Sequence, residues 1–291
     1  MGITSTILTA VRRPLGTAPR AALLWWLLWA AALGTPGAAA GADEVAREHP
    51  FESAVIAPPL RQPIVGERLG FHGWWFGIPV GSGWIEVKEL VTLDGRQAYH
   101  IEAQGHSNQL LSTFYPIHDV VHSYLDAETL TPLRFEKQQS EGHYRADEIV
   151  TFDHAASKAF YHSRLNDSTK EIELPAEFQD LISALYWFRA QPIQPHQTIP
   201  LGIYTDEKIY QTDIQVKELL LLELLKRGTF ACLVVEPKAF FKGLLVKRGR
   251  IWAYVTADAY RLPLLVKVTT PWGAMSAVLD EESIPAAVKR D

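Results

Sequence analysis

The residues whose types and spacing come closest to a catalytic motif are two histidines. His118 and His122 stand four apart in the stretch PIHDVVHSY, and Asp119 directly follows the first. On a helix this spacing places both imidazoles on one face, as in zinc hydrolases with an H-E-x-x-H motif. Here an aspartate replaces the glutamate of the motif, and the adjacent Val120 and Val121 favour a strand.

In a strand, His118 and His122 would share a face but lie about 13 Å apart, since each residue advances by roughly 3.3 Å. At that separation they do not bind one metal ion as a local pair. We therefore keep them only as a weak alternative metal site, and we expect neither a metal nor another cofactor. Other histidines could converge only in the folded chain; they include His100, His106, His143, His154 and His162.

Other residue patterns with catalytic potential are weaker. Gly81-Ser82-Gly83 lacks the strand-turn-helix setting of a nucleophile elbow and is more typical of a glycine-rich bend in a curved strand. The chain is therefore more consistent with a protein that is not an enzyme. The alternative is a hydrolase or metal-binding protein whose site is assembled from scattered His and Asp or Glu residues.

Aromatic residues are concentrated between residues 71 and 84. Trp74, Trp75 and Trp84 lie there together with two phenylalanines and several glycines. Such a cluster commonly forms part of the core of a β protein. Alternatively, it lines an apolar cavity or forms an aromatic platform for a ligand. The three tryptophans are therefore candidate ligand-binding residues.

The first 40 residues have the three parts of a secretory signal peptide. Basic residues precede an apolar run at 21–33, which a helix-breaking segment and several small residues follow. The apolar run is shorter than the roughly 20 residues that span a bilayer. We therefore predict cleavage and a periplasmic or secreted protein. The alternative is an N-terminal helix that stays uncleaved and anchors the chain in the membrane.

Charge and cysteine content limit the partners of the mature protein. Removing the three arginines within residues 1–40 takes the formal net charge from −5 to −8. An acidic chain does not suit nucleic acid, whose phosphates require a basic face. Cys232 is the only cysteine, so no internal disulfide forms, and its apolar setting predicts a buried thiol rather than a disulfide-linked partner. A lipid, a glycan or an envelope protein remain possible partners.

Behind the signal peptide we predict three segments. Residues 41–63 are rich in proline and predict a flexible arm or linker, 64–283 predict a single β-rich domain, and 284–291 predict a tail. Within the domain, strand-like segments recur at intervals of about ten residues. They are predicted at 80–91, 97–105, 112–124, 132–139, 143–153, 157–164, 198–205, 208–218, 230–237, 245–256, 261–269 and 273–280.

Only one segment has the pattern of a long amphipathic helix. At about 176–190, apolar residues recur at helical spacing between Pro175 and Pro192. The leucine-rich stretch at 217–226 has helical propensity, but its place between a strand and a turn favours a strand. We therefore predict a mainly β fold, an antiparallel curved sheet that forms a barrel or half-barrel, with one main helix against it.

Several longer stretches resemble an exported bacterial family, the domain of unknown function numbered 3108. They are GERLGFHGWWFGIPVGSGWIEV, DLISALYWFRAQPI, VEPKAFFKG and IWAYVTADAYRLPLLVKV, and the resemblance covers about residues 64–281. It implies a β-rich periplasmic protein whose architecture is comparable to that of envelope lipoproteins and lipoprotein carriers. It implies no reaction, because the family has no established catalytic residues.

The stretches that carry the resemblance add four candidate ligand-binding residues. Tyr186 and Arg189 belong to the helix, whereas Asp258 and Arg261 belong to a turn that Pro263 closes. Each could instead be structural, since Asp258 can bond backbone amides and can pair with Arg261. The sequence thus predicts an exported, non-enzymatic protein that binds an apolar or envelope-derived ligand or an envelope partner.

Overall fold

A computed structural model describes most of the chain beyond the N-terminal segment. It covers residues 46–51, 56–225, 227–241, 244–245, 249–270 and 273–288. The predicted signal peptide, residues 1–40, lies outside the described residues, as does part of the predicted arm. Across the described ranges, no helix is both long enough and apolar enough to cross a membrane.

Strands dominate the described chain, which confirms the prediction of a mainly β fold with a curved antiparallel sheet. The strands are β1 Ala46–Pro50, β2 Arg68–Trp75, β3 Ile78–Leu93, β4 Arg96–Ser107, β5 Ile117–Asp126, β6 Pro132–Glu141, β7 Tyr144–Asp153, β8 Lys158–Ser163, β9 Thr169–Glu173, β10 Phe178–Asp180, β11 Thr198–Thr205, β12 Lys208–Leu224, β13 Gly228–Phe241, β14 Leu244–Leu245, β15 Arg250–Thr256, β16 Pro263–Thr270 and β17 Gly273–Leu279. The helices are α1 Gln109–Ser112 and α2 Leu181–Arg189, and a 3₁₀ turn spans Glu281–Ser283.

Strand order follows the sequence almost everywhere, because hairpin turns join most neighbours. β2 to β9 pair in succession, and so do β10 to β17, with β13 pairing directly with β15 beyond the short β14. β17 then pairs with β2, which places Met275 opposite Trp75. Within the described residues no pairing joins β9 to β10, so the sheet rolls up without closing.

The interior of the rolled sheet is filled by three apolar clusters, and α2 contributes to all of them. Tyr186 belongs to the first cluster, Leu185 packs against the first and the second, and Phe188 belongs to the third. Tyr204 of β11 lies with its ring centroid 5.3 Å from that of Phe152 on β7. The second half of the chain therefore covers the inner face of the first half, with α2 at the junction.

The helix begins later than the sequence predicted. Instead of spanning 176–190, α2 starts at Leu181, and Phe178–Asp180 form β10, which pairs in parallel with β11. The Asp180 side chain accepts hydrogen bonds from the backbone N–H groups of Ile182 and Ser183, which is an N-cap. The predicted start was wrong because Pro175 resembled a helix opener, whereas the capping aspartate sets the first turn.

The leucine-rich stretch at 217–226 is strand as far as Leu224, as its setting predicted. It forms the end of β12, and the register with β13 shifts between Val216 and Leu219. Beyond this irregularity, Leu220, Leu222 and Leu224 alternate into the second apolar cluster. Side-chain alternation and pairing on both sides therefore override the helical propensity of leucine.

The predicted arm and tail are attached to the domain wherever they are described. Ala46 pairs with Leu224, so that β1 extends the sheet alongside the end of β12. At the other terminus, Ile284 and Val288 are buried in the second apolar cluster. Both segments therefore add to the core instead of lying free of it.

The alternating strand directions give the rolled sheet two distinct ends. The α1 end carries α1 and the turns that follow β2, β6, β8, β11 and β16, whereas the α2 end carries the C-terminus of α2 and the turns that follow β3, β7 and β12. The Lys137 ammonium lies 3.4 Å from the Asp206 carboxylate, which places the β11–β12 turn beside β6 at the α1 end.

Candidate functional site

Four of the predicted site residues meet at the α2 end. Arg189 donates two hydrogen bonds to the Glu67 carboxylate, at 2.7 and 2.6 Å, and its Nε donates to the backbone oxygen of Tyr260 at 3.0 Å. The guanidinium carbon lies 5.2 Å from the Tyr186 ring centroid. Although burial alone would lower the pKa of Arg189, the hydrogen bonds to Glu67 raise it overall. The pair is therefore a buried bidentate contact.

The turn that contains Asp258 and Arg261 completes this group. The Asp258 carboxylate accepts hydrogen bonds from the backbone N–H groups of Tyr260 and Arg261, at 2.8 and 3.2 Å. Arg261 has a positive φ of 48°, and its guanidinium donates to the backbone oxygens of Gln191 and Ala57. Asp258 thus meets the backbone of Arg261, while the side chain of Arg261 joins the arm to the residues after α2.

The three predicted tryptophans do not form one platform. Trp84 faces outward, with the Arg68 guanidinium 4.0 Å from its ring centroid, whereas Trp74 packs against the second apolar cluster. Trp75 lies at the end of β2, where its ring centroid is 5.8 Å from that of Phe76. Neighbouring residues of a strand point to opposite faces, so Trp74 and Trp75 diverge.

Trp75 instead belongs to a group of exposed apolar side chains at the α1 end, which we call the apolar rim. Its members are Trp75, Phe76, Ile78, Leu110 and Phe114. Phe114 is 81% exposed and Leu110 is 60% exposed, and both lie on or just after α1. The rim thus places large apolar side chains at strand ends, on α1 and on turns, where water reaches them.

α1 is fastened beside the first residues of β3, which brings the two parts of the rim together. Asn108 caps α1, and its side-chain nitrogen donates to the backbone oxygen of Pro79 at 2.6 Å. Its backbone N–H also donates to the oxygen of Val80 at 2.8 Å. Leu110 and Phe114 are not among the predicted site residues, because a strand was predicted from residue 112. The Asn108 cap was the signal that could have revealed α1.

A buried pair of carboxyl groups lies beneath the α1 end. Asp119 and Glu141 are 0% and 1% exposed and project from the inner faces of β5 and β6. Asp119 accepts from the backbone N–H of Ser140 at 3.0 Å, and Glu141 accepts from the Gln139 side chain at 2.9 Å. Burial and the neighbouring Asp119 raise the pKa of Glu141 to about 10. The pair therefore holds one proton between its two carboxyl groups at neutral pH.

A buried lysine balances this acidic region. The Lys137 ammonium lies 3.1 Å from Glu148 and 3.4 Å from Asp206. Burial by itself would lower the pKa of Lys137, but these two carboxylates raise it overall, so the side chain stays charged. In this conformation both members of the carboxyl pair are shielded from solvent, so a dissolved substrate cannot reach their proton. The sequence offered no signal for the pair, because Glu141 is remote from the histidine motif.

The strand interpretation of the histidine stretch is confirmed, since Ile117–Asp126 form β5. His118 is exposed and lies opposite His106, whereas His122 turns toward His100 on β4. The two ring nitrogens, Nε2 of His100 and Nδ1 of His122, are 3.0 Å apart. Burial and His122 lower the pKa of His100. In the part of the chain that the structure describes, no three His, Cys, Asp or Glu side chains form a metal-binding group.

Comparison with models of protein families shows the family to which the chain belongs. A family model described as "Protein of unknown function (DUF3108)" matches residues 70–280. The chain belongs to this family. The match runs from within β2 to the residue after β17, and therefore covers the apolar rim and Arg189, although Glu67 precedes it. No curated protein matches the chain.

The fold has a counterpart among solved structures. The chain is similar to the crystal structure of a β-barrel-like protein of the domain-of-unknown-function family DUF1849 from Brucella abortus. The TM-score is 0.53 at 9% sequence identity, over 75% of this chain and 97% of the other. At this identity the similarity concerns the β-barrel-like fold alone.

Proposed function

We propose that this DUF3108 protein is exported to the periplasm, or secreted, and binds a lipid of the cell envelope through the apolar rim. It acts as a binding protein and not as an enzyme. The observation that carries the proposal is the concentration of exposed apolar side chains at one end of the rolled sheet. Grouped exposed apolar residues are typical of interaction sites, whereas isolated ones are common on any surface.

The chemistry of the rim suits an acyl or interfacial environment. Phe76 and Phe114 lie on turns and Trp75 is the last residue of β2, so these large apolar side chains can enter a lipid layer with little disturbance of the strands. Tryptophan is enriched at the boundary between apolar lipid and water. The predicted charge of −8 for the mature chain favours zwitterionic over anionic lipid. A lipid therefore fits the rim better than a glycan, for which polar hydrogen-bonding groups would be required.

A protein partner added as an extra strand fits the sheet less well. β9, at one edge of the sheet, carries Lys170, Glu171 and Glu173 within five residues. Charged side chains on an edge strand oppose strand addition by another chain. An assembly role would therefore have to use the rim itself, which the experiment below distinguishes from lipid binding.

The alternative of a hydrolase finds its best counterpart in the pair of Asp119 and Glu141. Two carboxyl groups that share a proton can act as acid and base. Here both are buried beneath the α1 end, and Gln139, Ser140 and Lys137 occupy their surroundings. We therefore assign the pair to the internal structure of the α1 end and leave catalysis out of the proposal.

Vesicle binding tests the proposal directly. The protein purified from the periplasm would be mixed with phosphatidylcholine and phosphatidylethanolamine vesicles, and binding would be measured by co-sedimentation and tryptophan fluorescence. We expect wild type to bind, and Phe76→Asp and Phe114→Asp each to weaken binding by about tenfold, since each removes an aromatic side chain that would become buried in the lipid layer on binding. Phe160→Asp is the matched control, because Phe160 is 43% exposed but lies outside the rim.

The outcomes separate the competing explanations. Wild type that fails to bind vesicles but crosslinks to an envelope protein through the rim would replace the lipid by a protein partner. Equal binding by all four proteins would show that the rim is not the contact. Export is tested separately, by the mass of the N-terminal peptide of the periplasmic protein, which should begin after residue 40.

A further inference from the structure

Two histidines on neighbouring strands are held together on the outer face of the sheet. His100 lies on β4 and His122 on β5, and their facing nitrogens, Nε2 and Nδ1 respectively, are 3.0 Å apart. The rings are tilted by 32° with centroids 5.2 Å apart. The His100 ring also stacks on Tyr124, at 4.8 Å between centroids and 5° between planes. One side of the pair is therefore fixed by an aromatic neighbour.

We propose that His100 and His122 bind a divalent transition-metal ion of the zinc class, through Nε2 of His100 and Nδ1 of His122. In a tetrahedral zinc site with bonds of about 2.0–2.1 Å, two ligand nitrogens lie about 3.3 Å apart. The observed separation needs to grow by only a few tenths of an ångström. Neutral imidazoles are ligands suited to zinc, copper, iron and nickel.

The second ring nitrogen of His100, Nδ1, lies near the carboxylate of Glu89, and a carboxylate is a common hydrogen-bond partner of histidine ligands. His100 Nδ1 lies 3.8 Å from a carboxylate oxygen of Glu89. Histidine ligands usually donate their other N–H to a carboxylate or carbonyl group, which fixes the tautomer and the orientation of the ring. When the metal binds, the proton of His100 resides on Nδ1 and points to Glu89, while that of His122 resides on Nε2. No proton has to leave the neutral pair.

A carboxylate on the same face of the sheet would supply a third ligand after a change of its side-chain rotamer. Glu102 is two residues from His100 on the same face of β4, and its Cα lies opposite that of His122 in the strand register. One oxygen of Glu102 now accepts a hydrogen bond from the Gln104 side chain at 2.7 Å. Rotation of this side chain toward the histidines would add an oxygen ligand, and water would complete the coordination.

This site differs from the one that the sequence motif suggested. His118 and His122 are four residues apart on the same face of β5, whereas His100 and His122 come from adjacent strands. Side chains of adjacent strands approach much more closely than side chains four residues apart on one strand. The chelating pair therefore combines one histidine of the motif with one that the sequence places 22 residues away.

Zinc titration of matched variants tests the inference. The purified protein, stripped with a chelator, would be titrated with Zn²⁺ by isothermal calorimetry, and imidazole nitrogen shifts would be followed by NMR. We expect one Zn²⁺ per chain in wild type. His100→Gln and His122→Gln should each weaken binding by more than about tenfold, and Glu89→Gln by about tenfold as a supporting residue. His118→Gln is the control and should bind as wild type does.

Two results would overturn the inference. One is a wild-type protein that binds no Zn²⁺ at micromolar to millimolar concentrations. The other is a loss of binding in His118→Gln that equals the loss in His122→Gln while His100→Gln binds normally, since the motif pair would then be the site. Thermal melting of each variant without metal shows that the fold is intact, so a binding loss is not mistaken for unfolding.

Discussion

The two ends of the rolled sheet differ in which side chains they bury and which they expose. At the α2 end, charged side chains are turned inward and held by partners: Arg189 by Glu67, and Arg261 by two backbone oxygens. At the α1 end, apolar side chains such as Phe114 are turned outward, above a buried carboxyl pair. Charged groups are thus buried at the α2 end, whereas apolar groups are exposed to solvent at the α1 end.

This contrast separates structural residues from candidate functional residues. The ion pair of Arg189 and Glu67 is satisfied within the chain, although Arg261 Nε is buried nearby without a hydrogen-bond partner among the described residues. We therefore interpret the α2 end as a connection between the arm, α2 and the β15–β16 turn. Exposed apolar side chains add nothing to the stability of an isolated chain, and the proposed lipid contact would give those at the α1 end a role. Substitutions at the α2 end should therefore reduce stability, whereas substitutions of exposed side chains at the α1 end should reduce binding.

The largest effect is expected when the buried ion pair at the α2 end is broken. Arg189→Ala leaves Glu67 buried without its partner and should reduce the free energy of unfolding by about 3–5 kcal/mol. Urea denaturation followed by circular dichroism would measure this. The control is Arg68→Ala, which removes an ion pair to Glu86 from a side chain that is 52% exposed and should change stability by less than about 1 kcal/mol. Similar losses in the two variants would contradict a special role for the α2 end.

A smaller effect of opposite sign is expected at the buried carboxyl pair. The pKa of Glu141 is raised from 4.5 to about 10, so the folded protein keeps a proton that the unfolded chain releases. The contribution of this proton to the free energy of unfolding is therefore complete below pH 4.5, and it is lost as the pH rises toward 10. Glu141→Gln mimics the protonated form and should raise stability at pH 8 by on the order of 1 kcal/mol.

The pH dependence provides the check for this prediction. Melting temperatures of wild type and Glu141→Gln would be compared between pH 5 and pH 9. The difference should widen in favour of the variant as the pH rises. A difference that stays constant over this range would mean that Glu141 is already ionised at neutral pH and that the pair shares no proton.

The smallest effect on stability is expected at the apolar rim. Phe114→Asp alters a side chain that is 81% exposed, so the free energy of unfolding should change by no more than about 0.5 kcal/mol. Denaturation of this variant beside Arg189→Ala would compare the two ends in one experiment. A large loss in Phe114→Asp would show that Phe114 supports α1 and would remove it from the candidate lipid contact.

Much of the sheet could be predicted from sequence because its physical basis is local. Turn residues recur at regular intervals, and the stretch from Ile117 to Leu125 alternates between buried and more exposed positions along its whole length. Local alternation also explains why 217–226 is strand despite its leucines. The start of α2 could not be predicted in the same way, since Phe178–Asp180 become a strand only because β11 lies beside them.

The candidate sites depend on register and were therefore less accessible to sequence reasoning. His100 meets His122, and Asp119 meets Glu141, only because β4, β5 and β6 pair in one particular alignment. A shift by one residue would turn each of these side chains to the other face of the sheet. Among the predicted site residues, Trp75 joins the rim and Arg189 joins the α2 end, but nothing in the sequence indicated that they belong to different ends.

The pairing of β17 with β2 has a consequence for the order of folding. It joins the first long strand of the domain to the last. The sheet therefore becomes continuous only when Met275 has paired with Trp75. Contacts between residues so far apart in sequence slow folding, because the loop between them must be ordered first. A chain emerging from a ribosome lacks this seam until β17 has been made, so the sheet becomes continuous only after the whole domain has been synthesised, a delay that would suit the export proposed above.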